Sequence, residues 1–88
     1  MVKGYKGLSQ DMNSILGGKT IHFKIGETYE EDVDPMTRKC GIHFCLYKED
    51  VRRFVPNCKH IVEVLALGTI EGDGYQYATN KIQIVREV

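Results

Sequence analysis

The chain has 88 residues, 42% of them hydrophobic and 27% charged, a composition that excludes intrinsic disorder. By area scaling a chain of this size buries roughly 64% of its surface on folding, enough for one small core, so a single domain over 1–88 is expected. Twelve basic and twelve acidic residues cancel, so no overall field draws the protein to nucleic acid or to an anionic membrane. The longest apolar run, Val64-Leu65-Ala66-Leu67, is far short of a membrane span, and no apolar stretch follows the early lysines as a secretory signal would require. Three cysteines, an odd number, fit reduced thiols in a cytoplasm.

Val2 to Leu8 reads as a first strand, interrupted by Gly4 and Gly7. Ser9 is placed to cap a short helix over about 9–16 that carries Met12, Ile15 and Leu16 and ends at Gly17-Gly18. Thr20 to Lys24 alternates, with Ile21 and Phe23 on one face, as a half-buried strand does. Thr28 to Glu31 extends the sheet until Asp32-Val33-Asp34-Pro35 breaks it. Gly41 to Cys45 is a further short strand, with Ile42 and Phe44 on one face and His43 and Cys45 on the other. The principal helix is expected over about 46–55. There Tyr47, Val51, Phe54 and Val55 form one stripe, and Pro56-Asn57 stops the helix.

His60 to Leu67 is rich in valine and isoleucine and reads as a central strand covered on both faces. Thr69 to Glu71, Tyr75 to Ala78 and Lys81 to Val85 complete an antiparallel run, with Gly72-Asp73-Gly74 as its turn. The expected class is α+β, mainly antiparallel sheet with one principal and one short helix. Its core should hold Ile21, Phe23, Ile42, Phe44, Val51, Phe54, Ile61, Val64, Leu65, Ile82 and Ile84.

The residue types for zinc are present in Cys40, Cys45, Cys58 and His60, with His43 nearby. Cys40 and Cys45 have four residues between them and run into a strand, where an odd separation sends side chains to opposite faces. Cys58-x-His60 is too close for a standard ligand pair, so no metal is expected. His43 and Cys45 share a strand face about 7 Å apart at the backbone, too far for a thiolate–imidazole hydrogen bond in most rotamers. Glu63 is an acid inside an apolar strand, whose pKa would rise if it were buried beside a ligand. Tyr75 and Tyr77 with Lys81 offer a stacking platform for bases, against which the zero net charge weighs. The clearest local imbalance is acidic: Glu27, Glu30, Glu31, Asp32 and Asp34 fall within one stretch without a lysine or arginine. Such a surface steers toward a basic partner.

Cys40-Gly41-Ile42-His43-Phe44-Cys45, followed by Asp50-Val51 on a helix, resembles an uncharacterised domain of phage and prophage proteins, sometimes found beside pentapeptide repeats. That family has a Cys-x-x-Gly-Phe-His-Phe-Cys core; here Gly41 follows Cys40 directly and Ile42 replaces the first phenylalanine. Tyr5-Lys6-Gly7, Gly26-Glu27-Thr28-Tyr29-Glu30, Glu63-Val64 and Lys81-Ile82-Gln83-Ile84 extend the resemblance along the chain. A strand Gly-Ile-His-Phe-Cys running into a helix also resembles the Gly-Ile-Tyr-Phe step of ADP-ribosyltransferases. That likeness implies a miniature NAD site at Tyr5, Lys6, His43 and Glu63, although Lys6 stands where those enzymes keep arginine or histidine.

The reading therefore favours contact over turnover, with no cofactor. It expects a phage-type module that binds a host protein with a basic surface through Glu27, Glu30, Glu31, Asp32 and Asp34. A nucleic-acid-binding defence protein, as met by anti-CRISPR proteins, is the expected kind of partner, in the host cytoplasm. The alternatives are the NAD enzyme and a small zinc domain at Cys40, Cys45, Cys58 and His60.

Overall fold

The computed structural model describes residues 1–15, 20–31, 41–72 and 74–88. Its elements are β1 (Val2–Leu8), β2 (Thr28–Glu30), β3 (Ile42–Phe44), α1 (Lys48–Phe54), β4 (His60–Ala66), β5 (Ile70–Gly72), β6 (Tyr77–Thr79) and β7 (Lys81–Glu87). All pairings are antiparallel, in a four-stranded sheet ordered β1-β4-β7-β2 and a three-stranded sheet ordered β3-β6-β5.

One long bent hairpin runs through both sheets. β4 pairs with β7 in the larger sheet, and its continuation β5 pairs with β6 in the smaller. The bend falls at 67–69 opposite Asn80, where Leu67 N donates to Lys81 O at 2.9 Å and Thr69 N to the Asn80 side chain at 2.9 Å. The sheets also meet along β1, since Tyr5 and Cys45 exchange backbone hydrogen bonds of 2.7 and 2.8 Å. Joined in these two places, they share one apolar core.

The alternation of β4 decides where the apolar cores sit. Val62, Val64 and Ala66 bury with Leu8, Ile82 and Ile84 of the larger sheet, Ile42 and Phe44 of β3, and Phe23. Ile61 points to the opposite face, where Cys45, Val51, Val55 and Cys58 form a second cluster beneath α1. The expected covering of both faces of this strand is met in part: Val62, Val64 and Ala66 are covered on one side, while on the other the cluster under α1 covers Ile61, Leu65 is half-buried and Leu67 is exposed. Two glycines make room for these layers. A Cβ on Gly4 would lie 2.5 Å from Phe44, and one on Gly7 would lie 2.5 Å from Val55 and 2.9 Å from both Val51 and Cys58. The helix is short, with Glu49 and Asp50 in its first turn and Arg52 and Arg53 in its last, each end matching the backbone dipole.

The expected short helix over 9–16 is replaced, over its described residues, by a single turn. Ser9 O receives Met12 N at 2.9 Å, Ser9 Oγ receives Asn13 N at 3.1 Å, and Met12 takes a left-handed φ of 63°. That φ reverses the chain, so Asn13 and Ser14 form bridges with His22 and Leu8 instead of continuing a helix. The strand expected over Thr20 to Lys24 is reduced to the His22 bridge. Of the expected core, Ile21, Phe54 and Leu65 are only half-buried. Leu16, Gly17-Gly18, Pro35 and Asp73 lie outside the described residues.

Candidate functional site

Tyr29 anchors β2 by packing edge-on against Phe23, with ring centroids 4.9 Å apart, and its hydroxyl accepts Lys24 N at 2.8 Å. Alternation then turns Thr28 and Glu30 outward, and both are exposed, as is Glu27. Glu30 lies opposite Lys81 of β7. Glu31 is half-buried, and its charge acts inward on Lys6. The acidic stretch therefore divides: Glu27 and Glu30 face solvent, Glu31 faces the core, and Asp32 and Asp34 lie outside the described residues.

Lys6 belongs to the interior. Its side chain leaves β1 on the face of Gly4 and Leu8, is 4% exposed, donates to His43 O at 2.7 Å, and lies 5.5 Å from the centre of the Phe23 ring. Burial pushes its ammonium from 10.5 down to about 8, against the support of the Cys45 and Glu31 charges. Tyr5, Lys6 and His43 line one cleft with Cys45, Phe54 and Gln76; its ≈ 20 Å³ is the space of about one water. Glu63 is not among the residues lining that cleft. It pairs across strands with Tyr5, and its Oε1 holds Lys3 Nζ at 3.3 Å and Arg86 Nη2 at 3.2 Å. Burial raises the Glu63 pKa, but the hydrogen bonds and charges of Lys3 and Arg86 outweigh it and leave the carboxyl below its ordinary value. Three of the four residues expected at an NAD site thus share a water-sized cleft, while the fourth serves an ion-pair network.

The cysteines also separate from their expected partners. Cys45 and Cys58 are not in a disulfide and lie, each 4% exposed, in the cluster under α1, and Arg52 Nη1 donates to Cys58 O at 3.2 Å. His60 is engaged on both ring nitrogens, with Glu87 Oε2 at 2.7 Å and Gln10 O at 3.2 Å. Cys40 lies outside the described residues, and among those described no three His, Cys, Asp or Glu side chains gather around a point suited to a metal. Tyr77 turns inward and stacks on Phe44 at 5.8 Å, whereas Tyr75 is 56% exposed with the Arg53 guanidinium 5.9 Å from its ring centre. The two tyrosines therefore do not form one stacking platform.

Two features went unread in the sequence. The burial of Lys6 had a signal, since Val2-Gly4-Lys6-Leu8 places the lysine in register with residues of the core face. The clasp of His60, Glu87 and Gln10 had none, because it joins positions from three distant parts of the chain.

The family described as Domain of unknown function (DUF7666) matches residues 2–88. No curated protein and no solved structure matches the chain.

Proposed function

We propose a function on the premise that this chain belongs to the DUF7666 family, a domain of unknown function: it acts by contact, as a phage-type module that binds a basic surface of a host protein. The observation that carries this reading is the exposed pair Glu27, just before β2, and Glu30, at its end, on the margin of the larger sheet. Carboxylates exposed there would meet lysines and arginines that otherwise hold nucleic-acid phosphates. A nuclease of host defence, the target of anti-CRISPR proteins, is the kind of partner that fits. Complementary charge of this sort acts chiefly on the rate of association and weakens with salt.

The test is a pull-down from bacterial lysate with the parent protein and an E27K/E30K variant, at low and at raised salt. Both side chains are exposed, so the variant should fold, with a melting temperature lowered slightly because the charge reversed at Glu30 then faces Lys81. Loss of a captured basic protein with the variant, and its weakening with salt, supports the reading. Equal capture by both proteins defeats it.

A further inference from the structure

We propose that β2 is a strand-addition site, taking an extended Lys/Arg-rich segment of a partner as the next strand of the larger sheet. The inference deepens the contact reading and rests on it. β2 ends the sheet order, and among the described residues no strand lies beyond it. In an antiparallel ladder alternate residues turn their N–H and C=O toward the partner strand. Here the bonds from Ile84 N to Glu27 O at 3.0 Å and from Glu31 N to Asn80 O at 2.8 Å set the phase. Positions 27, 29 and 31 therefore face β7, and the backbone groups of Thr28 and Glu30 face away from the sheet.

An edge of this kind is a template for another chain, and main-chain hydrogen bonds supply the affinity when one is added. The opposite edge of the same sheet is partly occupied, since β1 is bridged by Cys45 and Ser14. Tyr29, locked against Phe23, holds the β2 backbone in place before any partner arrives, which lowers the ordering cost of binding. Charge selects the occupant. The outermost row carries Glu27 and Glu30, while Lys81 stands one strand further in, so an arriving strand meets carboxylates first. Basic side chains alternating along that strand fall on one face, where they would pair with Glu30, while the charge of Glu27 lies on the other face; an acidic strand would be repelled.

The probe is a short synthetic peptide alternating lysine and valine, titrated by fluorescence anisotropy. A second peptide of the same sequence carries methyl groups on alternate backbone nitrogens, which keeps its charge and removes the edge donors. The protein variant is T28P: the Thr28 N–H faces away from β7, so proline removes an outward donor and leaves the internal ladder intact. Parent protein should bind the first peptide, with the Thr28 and Glu30 amides gaining protection from hydrogen exchange. Backbone methylation and T28P should each weaken binding by about tenfold, the loss of one or two hydrogen bonds. Equal binding of the methylated peptide, or absence of binding with Thr28 and Glu30 unprotected, overturns strand addition. In the second case the glutamates only guard the edge against pairing. Should T28P fail to fold, the methylated peptide puts the same question to the unaltered protein. If E27K/E30K abolishes binding while T28P and methylation do not, the edge mode fails and the contact reading stands. The contact reading itself falls if the charge-reversed protein captures the parent's partner undiminished.

Discussion

Lys6 holds its charge between two sheets, with His43 O as the acceptor for one of its three protons. Its folded pKa of about 8 lies below the ordinary 10.5, so the unfolded chain takes up the proton first as pH falls. Stability linked to Lys6 therefore rises from pH 8 to about 10.5, and the cost of the buried charge is fully present below pH 8. The shift corresponds to something on the order of 3 kcal/mol. Lys6→Met should flatten this alkaline rise and keep or raise the melting temperature at neutral pH, because an apolar side chain replaces a desolvated ion. Equal slopes in parent and variant over that window would place the lysine in solvent. His60 works in the opposite direction. The Glu87 carboxylate, followed by the Gln10 carbonyl, raises its pKa against a smaller loss from burial. Its contribution is complete below about pH 6.5 and disappears as pH rises through the raised folded value. A Glu87→Gln variant should thus melt below the parent at acidic pH and together with it at alkaline pH. A melting difference independent of pH would mean that the ion pair is not the cause.

At the scale of elements, β1 is the strand on which both layers depend. Gly4 lets Phe44 approach from one side and Gly7 lets α1 approach from the other. Gly7→Ala should cost about 1–3 kcal/mol, since the new methyl must displace Val55, Val51 and Cys58 from a packed cluster. Phe44→Ala should cost about 3–5 kcal/mol, because Phe44 is 2% exposed and packs in the cluster that joins both sheets. Chemical denaturation measures both, and a change under half a kilocalorie for Phe44→Ala would contradict the core described above. The strands with strong alternation, β1, β4 and β7, were legible to within two residues. The segment after Ser9 was not, because one capping serine and a few apolar residues suit an isolated turn as well as a helix, and the turn won once Met12 reversed the chain.

Across the whole molecule, the bent hairpin makes stability uneven in a predictable way. The amides of Val62, Val64, Ile82 and Ile84 lie in strands paired within the larger sheet and bury on the core face, so they should exchange only through global unfolding. The amides of Thr28 and Glu30, on the outward edge of β2, should exchange fastest in that sheet. Hydrogen exchange followed by NMR would separate the two sets, and slow exchange at Thr28 and Glu30 in the free protein would mean that the edge is already covered. Among the described residues no helix is long and apolar enough to cross a membrane, in keeping with the short apolar runs of the sequence.

Composition and periodicity by themselves determined the antiparallel strands with one principal helix, the central strand with one wholly buried apolar face, and the acidic bias of residues 27–34. Each of these depends on neighbours along the chain, where a period of two or of 3.6 residues leaves a visible mark. Only the tertiary structure decided which charges meet. It turned Glu31 toward Lys6, gave Glu63 to Lys3 and Arg86, tied His60 to both Glu87 and Gln10, and left Glu27 and Glu30 at an open edge. Charge and hydrogen-bond pairing act through space over a few ångströms, and residues 23 to 60 positions apart in these pairs carry no local signature of their meeting.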